Sequence, residues 1–114
     1  MSVKLTTRQV GDVTVVDAVG RITLGEGAST FRDTVRELVA SGHKKMLLNL
    51  AEVSYIDSSG IGEMVSGFTT VANQSGQLKL LNLTKRVKDL LQITKLYTVF
   101  EVFDDEAAAI RSFA

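Results

Sequence analysis

The 114 residues include no cysteine, no proline and a single histidine. Without cysteine there is no disulfide framework, no zinc knuckle of the usual kind and no thiol nucleophile, a composition that fits a reducing compartment. Without proline, element boundaries have to be read from glycine, asparagine and capping side chains. One histidine leaves little for a metal, since Asp57 with Glu52 and Glu63 makes no recognisable ligand spacing. It also leaves a serine hydrolase without a base: His43 falls between a helix end and a strand start, and no G-x-S-x-G is present. His43 reads instead as a solvated residue favoured by the helix dipole. Charge of one sign is missing too. Thirteen basic side chains balance thirteen acidic ones, so no overall field draws the chain to nucleic acid or to an anionic membrane. No apolar run approaches the ~18 residues of a spanning helix, and the opening MSVKLTTRQ lacks a signal-peptide pattern. The expectation is a cytoplasmic protein that is not an enzyme, holds no cofactor or metal, contacts no nucleic acid directly and inserts in no membrane.

What is present is an ordinary globular balance, 45% hydrophobic against 23% charged, in a length suited to one core. Residues 1–114 are therefore read as one domain. Residues 3–9 and 13–19 are β-branched and partly alternating, with Gly11 and Asp12 between them, and predict a hairpin. In ASTFRDTVRELVASG the apolar Ala28, Phe31, Val35, Leu38 and Val39 recur at helical spacing, and Gly42 ends the pattern. KMLLNL, residues 45–50, is nearly continuously apolar, as a strand covered on both faces would be. A second helix follows from Ile61 with Val65, Phe68 and Ala72 facing inward and a small, polar outward face of Gly62, Glu63, Ser66, Thr69, Thr70 and Asn73. QLKLLNL reads as a strand and TKRVKDLLQIT as a short helix with Val87, Leu90 and Leu91 inward. YTVFEVF reads as a last strand and DDEAAAIRSF as a final helix with acids in its first turn. The order β-β-α-β-α-β-α-β-α implies an α/β fold with a mixed, mostly parallel sheet and helices packed against it.

The junction YIDSSGIG, residues 55–62, carries more polar chemistry than a helix start requires. The first backbone N–H groups of the second helix need one capping oxygen, and Asp57, Ser58 or Ser59 could each supply it. A capping box does not account for the surplus, because Glu63 falls one residue beyond the required position from Ser59 and Ile61 occupies it from Ser58. Gly60 and Gly62 weaken the first turns by ~0.8–1 kcal/mol each relative to alanine, which asks for a compensating use such as close approach by another molecule. The plain reading is a capped helix with a solvated face. The sharper one is a docking face with a modifiable hydroxyl at its edge.

LLNLAEVSYIDSSGIGEMVSGF, residues 47–68, resembles the central signature of STAS domains, in particular the bacterial anti-sigma factor antagonists, and the element order is similar along nearly the whole chain. The resemblance implies a STAS-like fold and a regulatory role by partner switching. The unmodified protein would bind an anti-sigma factor serine kinase, phosphorylation by that ATP-dependent partner would release it, and a serine phosphatase would restore it. The first serine of the D-S-S-G run maps onto Ser58 as the phosphorylated residue. The implied docking surface comprises Thr23, Asp57, Ser58, Ser59, Gly60, Gly62, Glu63 and Ser66. At Thr23 this sequence departs from the acidic residue that many antagonists carry. STAS domains also occur as subunits of sensory and transport assemblies, the alternative role.

Elsewhere the readings are plainer. GRITLGEGAS is a connecting loop or a direct partner contact whose Gly25 and Gly27 suggest a flexible rim, and no P-loop is present. Asp104, Asp105 and Glu106 are first-turn helix charges or else a partner contact, and Lys85, Arg86 and Lys88 a solvated face or a contact for an acidic surface of a kinase partner. The thin polar face of the last helix would pack on the body or help form a homodimer.

Overall fold

The computed structural model of the chain describes residues 3–113. Its elements run β1 (Val3–Val10), β2 (Val13–Ile22), α1 (Glu26–Ala40), β3 (Lys45–Ile56), α2 (Ser58–Asn73), β4 (Gln77–Leu81), α3 (Lys85–Ile93), β5 (Val102–Phe103) and α4 (Glu106–Arg111), in the expected order. Val10 faces Val13 across a tight turn whose Gly11 has φ 63°, a left-handed conformation that glycine adopts without strain. From this antiparallel hairpin the sheet continues in parallel, with strand order β1-β2-β3-β4-β5.

Each parallel connection steps to the next strand in the same direction, so right-handed crossovers put α1, α2 and α3 on one face. There Phe31, Val35, Ile61, Met64, Val71, Val87 and Leu91 pack with Val16, Ala18, Ile22, Met46, Leu48 and Leu80. The short α4 closes the opposite face, where Ala109 and Phe113 meet Val13, Val15, Leu47 and Leu81. β3 serves both cores, which is why its first half is nearly continuously apolar. Helix α1 ends as glycine allows: Gly42, at φ 90°, donates to the Val39 carbonyl, and His43 N–H donates to Leu38, a Schellman closure. Among the described residues no helix is long and apolar enough to cross a membrane.

Four expectations need correcting. β3 does not stop at residue 50 but runs to Ile56, paired with β2 through Arg21↔Tyr55 and Ile22↔Ile56 after two register shifts. These irregularities break the alternation by which a strand is recognised. The last strand is reduced to Val102–Phe103, since only Leu80 and Leu81 of β4 pair with it. The residues before it turn, with Lys95 at φ 61°, and send Leu96, Val99 and Phe100 inward. Helix α2 is rotated from the expected face: Gly60, Ile61, Met64, Gly67 and Val71 are buried, Val65 and Phe68 lie at the margin, and Ala72 is exposed. Glycines 60 and 67 let the helix backbone itself approach its neighbours, and hydropathy patterns do not count glycine as apolar. His43 is half-buried rather than freely solvated, with Nδ1 3.0 Å from the Thr14 hydroxyl, at the end of β2 remote from Ser58.

Two polar clusters hold α4. Arg8 of β1 bridges Asp17 of β2 and Glu106 of α4, while Asp105 caps the helix by accepting from Ala108 N–H at 3.0 Å. Lys79 of β4 has a side chain only 6% exposed. Its Nζ donates to the carbonyl and hydroxyl of Ser112, both at 3.0 Å, and pairs with Glu101 at 2.7 Å.

Candidate functional site

The site begins where β3 ends. Asp57, with extended φ −111° and ψ −176°, is the residue that caps α2: its Oδ1 accepts from Gly60 N–H at 2.9 Å. Its Oδ2 reaches across to the loop after β2 and accepts from Leu24 N–H at 3.0 Å. Its backbone carbonyl accepts from Ile61 N–H at 3.0 Å. One carboxylate thus closes the helix and pins the neighbouring loop. Partial burial opposes ionisation of Asp57, but hydrogen bonds from the backbone of Gly60, Leu24 and Ser59 outweigh it and hold the carboxyl below the usual range.

With Asp57 as cap, Ser58 and Ser59 are the first two residues of α2. Ser58 is exposed and Ser59 half-buried. The hydroxyl that the resemblance singles out is therefore open to another molecule. A phosphoryl group on Ser58 would not find the helix start unoccupied, because Gly60 N–H already serves Asp57. It would meet a carboxylate as its nearest ionised neighbour.

The structure brings most of the expected docking residues together but gives them unequal parts. Gly60 is buried, and a Cβ there would overlap the Ile22 carbonyl oxygen and lie 2.7 Å from Ile56 Cγ1. The close approach inferred from this glycine is made by the chain's own β2, which corrects the reading that it waits for another molecule. Gly62 is exposed, with nothing within 4 Å of a would-be Cβ. Glu63 is half-buried and engaged by Arg32 of α1 at 3.2 Å. Ser66 is exposed two turns along the ridge from Ser58. Thr23 is half-buried, and its carbonyl accepts from Ala28 N–H at 2.9 Å. Gly25 and Gly27 do not form a flexible rim. Gly25 takes φ 97° to start α1, and Gly27 is buried against the Arg21 carbonyl, 2.6 Å from where a Cβ would stand.

Sequence reasoning missed two neighbours of this junction. Leu24 points into solvent from the pinned loop; its only signal was an apolar residue in a glycine-rich turn. Tyr55 lies between two guanidinium groups, with Arg86 at 4.4 Å and Arg21 at 5.0 Å from the ring centroid. Arg86 was read as part of a solvated face or a contact for an acidic partner surface, with no link to Tyr55, while its neighbour Lys85 pairs with Asp89 at 2.7 Å. Among the described residues no group of three potential metal ligands is assembled.

A hairpin leading into a mixed five-stranded sheet, with three helices on one face and a fourth on the other, defines a small α/β domain class. The chain belongs to the STAS domain family, whose model matches residues 4–109. It is 31% identical over 102 residues, 90% of this chain and 92% of the relative, to the anti-sigma-B factor antagonist of Bacillus subtilis. The crystal structure of an anti-sigma factor antagonist from Mycobacterium paratuberculosis superposes with a TM-score of 0.86 at 16% identity, covering 98% of this chain and 94% of that one. The phosphorylated form of the Bacillus cell fate determinant SpoIIAA superposes at 0.73 with 19% identity, covering 96% and 99%. At those identities the two structures bear on the fold alone.

Proposed function

We propose that the chain is an anti-sigma factor antagonist that works by partner switching, with Ser58 as the phosphorylated residue. The observation that carries the reading is the exposed Ser58 in the first turn of α2, beside a carboxylate that is already ionised. A relative of matching length, the Bacillus subtilis protein, is an antagonist by name. Unmodified, the surface around Ser58 docks on an anti-sigma factor, and the sigma factor is freed. The anti-sigma factor is a serine kinase that supplies ATP and Mg²⁺; this chain contributes the acceptor hydroxyl. A serine phosphatase reverses the modification, and the cycle runs in the cytoplasm.

The physical basis of release is electrostatic. A phosphoryl group adds about −1.5 to −2 charges. Next to Asp57 that charge is repelled, and in a docked interface it would also be stripped of water. A hundredfold to thousandfold loss of affinity needs only ~3–4 kcal/mol, within reach of one misplaced, desolvated charge. Ser58 is at the surface of α2, so the same group leaves both cores untouched.

The test is to mix the protein with an anti-sigma factor serine kinase of its own organism and ATP, and to map the modified peptide by mass spectrometry. The expected product carries one phosphate on Ser58, Ser58→Ala carries none, and the phosphorylated protein binds the kinase at least a hundredfold more weakly. Absence of a modified peptide, together with equal binding by wild type and Ser58→Ala, would favour the alternative role as a subunit without a phosphorylation cycle.

A further inference from the structure

Leu24 is 79% exposed, more open to solvent than any other large apolar side chain among the described residues. Surface leucines are common and by themselves signify little. This one differs in how it is held. Its N–H donates to Asp57 Oδ2 at 3.0 Å, the Thr23 carbonyl before it accepts from Ala28, and the Gly25 carbonyl after it accepts from Ser29 at 3.0 Å. A loop tied at three consecutive residues has already lost most of its backbone freedom, so burying its tip in a partner carries little further ordering entropy. The tie runs through Asp57, the residue that precedes Ser58.

At the same end of β2 and β3, where Arg21 pairs with Tyr55, stands the Arg21–Tyr55–Arg86 cluster. Arg21 lies three residues before Leu24 and Tyr55 two before Asp57, so the stack borders the same junction. Arg8 and Arg32 have carboxylate partners within ion-pair distance; among the described residues Arg21 and Arg86, like Arg36 and Arg111, have none. Arg21 and Arg86 share one aromatic ring, their guanidinium carbons lying 5.0 and 4.4 Å from the Tyr55 centroid. A cation over an aromatic ring keeps its charge and its N–H donors, so both groups remain available to an incoming anion.

We propose that Leu24 is the apolar anchor of the Ser58 docking surface and that Arg21 and Arg86 are its charged contacts. The anti-sigma factor partner then presents an apolar pocket with carboxylates on its rim. This deepens the partner-switching reading and rests on it. It also assigns Asp57 a positioning role, since the carboxylate that caps α2 sets the anchor beside the serine.

The experiment measures binding of the anti-sigma factor serine kinase used in the phosphorylation test to wild type, Leu24→Ala, Arg21→Glu/Arg86→Glu and Ile93→Ala by titration calorimetry at low and high salt. Ile93 is the control, 76% exposed at the far end of α3. The expected results are an affinity loss of about tenfold or more for Leu24→Ala with an unchanged unfolding temperature, and binding within about twofold of wild type for Ile93→Ala. The double arginine variant should lose about tenfold or more and show a flatter salt dependence. If wild type binds and either Leu24→Ala or the arginine variant binds within twofold of it, the proposed surface is overturned while partner switching stands. Equal losses at Leu24 and Ile93 would show unspecific apolar adhesion and overturn it as well. If wild type captures no kinase, partner switching and this surface fall together.

Discussion

Gly60 and Gly62 are two residues apart in one helix, and alanine should act on them with opposite sign. Alanine at either position gains ~0.8–1 kcal/mol of intrinsic helix preference. At Gly62 nothing lies within 4 Å of the new methyl group, so the gain should appear almost undiminished. At Gly60 the methyl would overlap the Ile22 carbonyl oxygen and come to 2.7 Å from Ile56 Cγ1 and 3.0 Å from Ile22 Cγ2. Ile22 and Ile56 are fully buried, and the Ile22 carbonyl also accepts from Asp57 N–H at 3.4 Å. Neither neighbour can turn aside, so α2 must move off the sheet. Overpacking of this kind costs typically 1–3 kcal/mol, and a backbone obstacle places it near the upper end. The net expectation is a loss of about 2 kcal/mol for Gly60→Ala and a gain of about 0.5–1 kcal/mol for Gly62→Ala. Urea unfolding with equal m-values would read both, and in thermal melts each kcal/mol should move the midpoint by about 4 °C. A Gly60→Ala protein as stable as wild type, or a Gly62→Ala protein less stable by 1 kcal/mol, would refute the packing argument.

Two further outcomes follow from the polar clusters. Arg8 holds the carboxyls of Asp17 and Glu106 low, Lys45 does so for Asp12, and at Asp57 backbone donors prevail over partial burial. Each folded-state value lies below its unfolded one, so this stability is present above about pH 4–5 and is lost as pH falls through the depressed values. The urea midpoint should stay level from pH 7 to 5 and drop below pH 4. Arg8→Met should flatten that drop while costing under about 1 kcal/mol at pH 7, because the pairs are solvent-screened; a midpoint that rises on acidification would contradict this. At Lys79, Met preserves the buried stem and loses the amine's three partners, whereas Ala also leaves a void under α4. Lys79→Ala should be less stable than Lys79→Met by about 2 kcal/mol, with amide exchange fastest over residues 106–113.

The order of all nine elements was legible because each carries a local pattern: β-branched alternation in the hairpin, a continuous apolar run in β3, helical spacing around Phe31 and Val87. What was not legible depended on partners remote in sequence. The second half of β3 is strand because β2 continues beside it, while its own Glu52 and Ser54 read as loop. Residues 97–101 have strand composition, but β4 offers only two residues to pair with, and the segment is spent on inserting Phe100 into the core. In the site, DSSG marked the helix start and its serine, yet the choice of Asp57 as cap turned on a loop more than thirty residues away. Leu24 and the Tyr55 stack had no pattern of their own, since an exposed anchor and a cation over a ring are products of tertiary contact alone.

The double duty of Asp57 has a practical corollary for anyone imitating the modified state. An aspartate placed at residue 58 would be a rival acceptor one position along, able to draw Gly60 or Leu24 N–H away from its present holder. Such a mimic would perturb the hinge between loop and helix as well as supply charge. A genuine phosphoserine, longer and branched, separates the two effects, and disagreement between mimic and phosphoprotein would measure how firmly that shared acceptor keeps its grip.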